Sequence, residues 1–182
     1  RRSAIRHDLG LDGSPYALVT LHRPANVAGA AALDLLCREV ESVARTMPVL
    51  FPVHPRTRKT LDAAGISFSA AQVRLLPPLG YIDFLGLESQ SAVVITDSGG
   101  VQEETTYLGV PCVTLRPTTE RPITCLEGTN RLYPPGGAGL ARAVAEAMAA
   151  RPRQPPILEG WDGRAARRVV QELLRELARP PA

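Results

Sequence analysis

An α/β fold with a mainly parallel sheet is predicted by three observations. Short apolar runs of strand length alternate with segments of helical period along the whole chain. One of those runs, Ala92-Val93-Val94-Ile95, leads straight into a glycine turn and a helix-like segment. The chain's unusual polar residues cluster just after the apolar runs, where ligands of parallel sheets bind.

The elements follow in order. The start, Arg1-Arg2-Ser3-Ala4-Ile5-Arg6-His7, carries charge without the apolar core of a signal peptide. Leu9-Gly10-Leu11-Asp12-Gly13-Ser14 continues it as a loop. Tyr16 to Leu21 reads as the first buried strand. A helix is expected from about Gly29 to Thr46, because Leu33, Leu36, Val40, Val43 and Met47 recur at three or four residues. Pro48 ends it, and Val49 to Val53 is the second strand. Thr57 to Ala64 is a short helix closed by Gly65. Val73 to Leu76 is the third strand, and Tyr81 to Ser89 another helix. The fourth strand enters the glycine turn, and the helix after it ends at Gly109-Val110-Pro111. Cys112 to Leu115 is the fifth strand, and Asn130 to Tyr133 a short sixth. Ala138 to Ala150 and 163–178 read as helices, with a proline-rich break at Pro152 to Pro156 between them. Val169, Val170, Leu173, Leu174 and Leu177 share one side of the last helix, with arginines on the other.

Composition narrows the function. The 182 residues suffice for one domain, taken as 1–182. Apolar runs are too short to span a bilayer, which argues against a membrane protein. The net charge of +3 is small and comes almost wholly from arginine, Lys59 being the one lysine. Basic residues alternate with acids and only 4% of residues are aromatic, so no nucleic-acid surface is expected. Cys37, Cys112 and Cys125 lack metal-ligand spacing; the first two read as small core residues in a reducing, cytoplasmic compartment. No metal site is expected.

The turn Thr96-Asp97-Ser98-Gly99-Gly100-Val101-Gln102-Glu103-Glu104 is the most informative stretch. Strand, glycine turn and helix N-terminus together aim backbone N–H groups at an anion. Ser98 adds a hydroxyl, and Gly99 and Gly100 let a phosphate approach the backbone. Two readings of the acids stay open. Glu103 and Glu104 suit the first turns of a helix through its dipole, with Ser98 or Asp97 as N-cap. Alternatively, one of them grips a ribose diol, since Glu104 lies about 9 Å along the axis from Ser98.

Three further loops share that rim. His22-Arg23-Pro24-Ala25-Asn26 offers acid/base and anchoring groups. His54-Pro55-Arg56-Thr57-Arg58-Lys59 is basic. Arg116-Pro117-Thr118-Thr119-Glu120-Arg121-Pro122 places Arg116 or Arg121 beside the glycine turn, where either neutralises a diphosphate. Each loop alone also reads as ordinary solvated surface.

Taken in order, Val19-Thr20-Leu21-His22-Arg23-Pro24, Pro52-Val53-His54-Pro55, the glycine turn through Glu104, Leu108-Gly109-Val110-Pro111, Thr119-Glu120-Arg121-Pro122 and Glu127-Gly128-Thr129-Asn130 resemble the bacterial non-hydrolysing UDP-N-acetylglucosamine 2-epimerases. The likeness is to their C-terminal half and runs from about Tyr16 to Tyr133. It implies a Rossmann-like, three-layer domain, the C-terminal half of a glycosyltransferase-B-like fold. The implied isomerase interconverts UDP-N-acetylglucosamine and UDP-N-acetylmannosamine, by eliminating UDP to a 2-acetamidoglucal and adding it back. That implies no cofactor or metal, a cytoplasmic role in cell-envelope polysaccharide synthesis, and a homodimer at full length.

The same likeness implies that Ser98, Gly99 and Gly100 hold the diphosphate and Glu104 the ribose hydroxyls. It makes His22 the active-site histidine and Arg121 a diphosphate contact. Arg23 and His54 match positions that contact a second, activating substrate molecule. The chain departs from the family at Ala25, where a glutamate is usual, and at Ile123, often glutamate. The loop after His54 lacks the usual Asn-Pro. The N-terminal domain, with its proton-abstracting acids, is expected to be absent, so the isolated chain should bind without turning over. The alternatives are a UDP-sugar glycosyltransferase domain and a non-catalytic nucleotide-sugar-binding module.

Overall fold

The computed structural model describes residues 3–11, 13–152 and 154–178. Arg1 and Arg2 of the charged start, Asp12 of the loop after it, Arg153 of the proline-rich break and the last four residues lie outside the described residues.

Strands and helices alternate as expected. After a short leading helix, α1 (Ile5–Asp8), come β1 (Ala17–Thr20), α2 (Pro24–Val27), α3 (Ala30–Ala44), β2 (Val49–Pro52) and α4 (Pro55–Ala64). Then follow β3 (Val73–Leu76), α5 (Tyr81–Glu88), β4 (Val93–Thr96), α6 (Gly99–Leu108) and β5 (Cys112–Thr114). The chain closes with α7 (Pro122–Leu126), β6 (Asn130–Leu132), α8 (Leu140–Ala149) and α9 (Ala165–Leu177). The one-turn helices α1, α2 and α7 carry no sequence period long enough to read. Two of them start on a proline, whose fixed φ suits a first helical position. Pro55 does the same for α4, which therefore begins two residues before the expected Thr57.

The strands form one sheet in the order β3-β2-β1-β4-β5-β6, with every neighbouring pair parallel. Chain order reverses between β1 and β4, which pair from Ala17↔Val93 to Thr20↔Thr96. That is the topological switch point, and the crevice beyond it is where open α/β sheets take ligands.

Two apolar layers hold helices to the sheet. On one face, Leu33, Leu36, Cys37, Val40 and Val43 of α3 and Leu140, Val144 and Ala147 of α8 pack on Val19, Phe51, Ile95 and Val113. On the other, Leu87 of α5 and Val101 of α6 join Tyr16, Leu18, Leu50 and Val94. Each fully buried Leu or Val contributes roughly 1.5–3 kcal/mol. Cys37 and Cys112 are core residues, their thiols pushed up to about 12 chiefly by burial. Gly109 ends α6 at φ 68°, a left-handed cap that other residues adopt at a cost. The apolar side of α9 does not join either core: no residue of that helix is buried, and Val169, Val170, Leu173, Leu174 and Leu177 are exposed. Among the described residues no helix is long and apolar enough to cross a membrane.

Candidate functional site

The strand ends at the switch point set the site. β1 delivers His22 and Arg23, and β4 delivers Asp97 through Gly100 next to them. The expectation that Asp97 or Ser98 caps α6 through its side chain is not met. Ser98 occupies the N-cap position, but its side chain makes no capping bond. Asp97 instead turns inward, fully buried.

Asp97 organises the neighbouring loop. Its carboxylate accepts the backbone N–H groups of His22, at 3.1 Å to both oxygens, and of Arg23 at 2.9 Å. The Asn26 side-chain amide donates to it at 3.1 Å and also to the Leu115 carbonyl at 3.1 Å. The His22 Nδ1 lies 3.0 Å from the same carboxylate. A carboxylate at Nδ1 keeps the proton there and leaves Nε2 as the working atom. Burying a carboxylate costs several kcal/mol unless it is fully hydrogen-bonded; here it meets several donors.

The second loop is tied in as well. Thr57 Oγ1, fully buried, donates to the Leu21 carbonyl at 2.6 Å. His54 caps α4 by accepting the Arg56 N–H at Nδ1, 3.2 Å away. Its ring centroid is 6.0 Å from that of His22.

The mouth of α6 faces a carboxylate of the protein itself. A Cβ on Gly99 would meet Glu120 Oε1 at 2.7 Å, so only glycine lets a carboxylate stand that close to the helix start. Glu120 is itself clasped by two guanidinium groups, Arg23 at 2.8 Å and Arg116 at 2.5 Å. Hydrogen bonds from its own backbone and from Arg116 bring its carboxyl down to about 2, with the nearby charge of Arg23 assisting. Buried Gln102 holds this loop in place: its Oε1 accepts from Thr119 Oγ1 at 2.6 Å and from the Asn130 amide at 3.2 Å.

Arg121, expected at the diphosphate, carries an ion pair of its own. Its guanidinium pairs with Glu103 at 3.0 Å, while Arg23 and Arg116 are the cations at the helix mouth. Glu103 and Glu104 therefore part company, as neighbours about 100° apart on a helix must. Glu104 faces α5, where the Tyr81 hydroxyl donates to its Oε1 at 3.2 Å. It lines an open cleft of about 540 Å³ with Tyr81, Leu85, Tyr107 and Trp161, a size that suits a nucleoside. Sequence reasoning missed Asp97 as the brace of the first loop, and missed Tyr81 and Trp161 beside Glu104. The parallel β1–β4 pairing was the available signal for the first; the aromatic pair had none.

Sheet order and switch-point site define a Rossmann-like α/β domain of the kind that builds glycosyltransferase-B-like enzymes. The chain belongs to the UDP-N-acetylglucosamine 2-epimerase family, whose sequence model matches residues 1–174. It is 41% identical over 122 residues to a UDP-N-acetylglucosamine 2-epimerase of Methanococcus maripaludis, covering 64% of this chain and 33% of that protein. It is 37% identical over 120 residues to a UDP-2,3-diacetamido-2,3-dideoxy-D-glucuronate 2-epimerase of Pseudomonas aeruginosa, covering 64% of this chain and 31% of that protein. Among solved structures, the Methanocaldococcus jannaschii UDP-GlcNAc 2-epimerase in complex with UDP-GlcNAc and UDP superimposes with a TM-score of 0.82 at 32% identity. That superposition covers 96% of this chain and 49% of the other. The chain thus spans about a third to a half of the length of these relatives.

Proposed function

We propose that this chain supplies the UDP-binding half of an enzyme that interconverts UDP-N-acetylglucosamine and UDP-N-acetylmannosamine. One observation carries the reading. A glycine-opened helix mouth, a braced histidine and a helix-borne carboxylate lie along one rim at the switch point, in a chain of this family. The diphosphate sits at Ser98, Gly99 and Gly100, where backbone N–H groups and the helix dipole favour negative charge. Glu104 accepts hydrogen bonds from the ribose hydroxyls. His22, held by Asp97, presents Nε2 toward the bond between sugar and diphosphate.

In the reaction, a carboxylate of the N-terminal domain takes the C2 proton, the C2–H electrons form the C1–C2 double bond, and the anomeric C1–O pair leaves with UDP, giving a 2-acetamidoglucal and free UDP. UDP then returns to C1 while a proton is delivered to C2 from the other face. The rim's part is to hold the departing diphosphate charge, which Arg23 and Arg116 are placed to share once Glu120 yields them. Arg121 joins them only by leaving Glu103. Arg23 and His54 are also proposed to meet an activating second nucleotide sugar. The enzyme is proposed to act in the cytoplasm and as a dimer of full-length chains.

Two measurements test this. Calorimetry should show UDP binding more tightly than ADP; equal affinity contradicts uridine recognition. Proton NMR of the chain with UDP-N-acetylglucosamine should show binding without epimer. The rim's described carboxylates are already engaged: Asp97 by the first loop, Glu103 by Arg121, and Glu120 by Arg23 and Arg116. Epimer or free UDP above a no-protein blank would contradict this division of labour.

A further inference from the structure

The proposed chemistry gives the Glu127-Gly128-Thr129-Asn130 segment no task, yet the segment ends in a buried hub. Asn130 opens β6 and is 3% exposed. Its Oδ1 accepts the hydroxyl of Thr114, at the end of β5, at 2.6 Å. Its amide nitrogen donates to Gln102 Oε1 of α6 and to Thr124 Oγ1 of α7, each at 3.2 Å, with Cys125 Sγ 3.3 Å away. Gly128 permits this approach: a Cβ there would run into the Thr124 carbonyl and the Thr106 side chain.

Two arms run from this hub to Arg121. Gln102 Oε1 accepts the Thr119 hydroxyl at 2.6 Å, and Thr119 Oγ1 accepts the Arg121 N–H at 2.9 Å. Thr124 Oγ1, which accepts from Asn130, donates to the Arg121 carbonyl at 2.7 Å. Both backbone polar groups of Arg121 thus lead back to the Gln102–Asn130 pair. Its side chain is exposed and meets Glu103 at the surface. A held backbone beneath an exposed guanidinium lets the cation change partners by side-chain rotation alone.

Stability does not account for Gln102. It is fully buried and its Nε2 has no hydrogen-bond partner, which is unfavourable. An apolar side chain of the same length would avoid that penalty. What the glutamine supplies is Oε1, the acceptor on which Thr119 and Asn130 meet. A buried polar network of this kind favours one geometry of the loop it holds.

We propose that Gln102 and Asn130 are positioning residues for Arg121: they fix its backbone so that the guanidinium can leave Glu103 for the distal phosphate of a nucleoside diphosphate. This rests on the reading of Arg121 as a diphosphate contact. Gln102 and Asn130 act through Thr119 and Thr124 and touch no ligand themselves.

The test compares UDP with UMP by calorimetry, because the two probes share a nucleoside and differ by the distal phosphate. Thermal melts accompany each variant. Arg121→Ala should lower the preference for UDP over UMP by about tenfold, as expected for a lost charge-assisted hydrogen bond. Gln102→Met keeps the length but removes both the acceptor and the unpaired Nε2. It should lower the preference severalfold with little change in melting temperature, a split that a merely structural role would not produce. Thr119→Val should lower the preference severalfold, and Thr119→Ser should keep it. Added to Arg121→Ala, Thr119→Val should cause no further loss. Should Gln102→Met fail to fold, the Thr119 variants decide alone. A wild type that does not distinguish the probes, or an Arg121→Ala that keeps the preference, overturns the reading of Arg121 and this proposal with it. An Arg121→Ala that loses the preference, beside folded Gln102→Met and Thr119→Val that keep it, overturns only the role of the buried pair. So does a full further loss in the double variant, which would mean that the network acts on something other than Arg121.

Discussion

The mouth of α6 and the end of α5 hold carboxyl groups in contrasting surroundings. At the helix mouth, Glu120 is partly exposed, clasped by Arg23 and Arg116, and brought down to about 2. At the end of α5, Glu88 is fully buried and pushed up to about 8, chiefly by that burial. The side chains are chemically identical. The difference comes from what surrounds them: donors and cations favour the charged form, while burial and a like charge favour the neutral one.

The largest effect should come from removing the group on which the mouth rests. Asp97→Ala leaves the N–H groups of His22 and Arg23 and the Asn26 amide without their acceptor. Breaking such a buried network should cost about 3–5 kcal/mol of stability, read as a lowered urea midpoint. A loss below about 1 kcal/mol would mean that the first loop is held by other contacts.

Next comes the diol end. Glu104→Gln should weaken UDP by about 1.5–3 kcal/mol, roughly tenfold to a hundredfold. Glu103→Gln should leave binding nearly intact and loosen only the Arg121 pair. The reverse ranking would assign the ribose to the wrong neighbour.

Smaller effects separate the two carboxyl states. Glu120→Gln should raise UDP affinity severalfold, because Arg23 and Arg116 no longer have a resident anion to leave. Weaker binding would show that Glu120 orients those arginines rather than competing for them. The pH dependence of stability should also split. Glu120 has a depressed value, so its contribution is present above the unfolded value of 4.5 and is lost as pH falls through about 2. Its exposure makes that contribution small. Glu88 has a raised value, so its contribution is full below 4.5 and is lost as pH rises through about 8. Glu88→Gln should therefore flatten the decline in melting temperature between those limits. An unchanged slope would place the proton elsewhere.

Local patterns account for what was legible before the structure. The alternation of apolar runs and helical periods located the sheet, and the glycine turn located the start of α6, because both depend on neighbours in sequence. The separation of Glu103 from Glu104 follows from helix geometry alone. Asp97 was misread because a polar residue before a helix favours capping, while its actual partners lie in the segment after β1, some seventy-five positions away. The pairing of Arg121 with Glu103 likewise has no local signal, because it joins a loop to α6. Nothing local marks Glu88 as a raised carboxyl: the shift comes first from its burial, which the tertiary packing decides. The exposed apolar side of α9 is the reverse case, a pattern read correctly whose burial the described residues do not supply.

The central claim is that one helix grips one nucleotide at two points. Amide-detected NMR of the chain titrated with UDP tests it most directly. The account predicts that Gly99 and Gly100 at the mouth and the residues around Glu104 shift together, with a single dissociation constant, and that ADP gives weaker binding. Shifts confined to other loops, separate constants for the two regions, or equal affinity for ADP would contradict it.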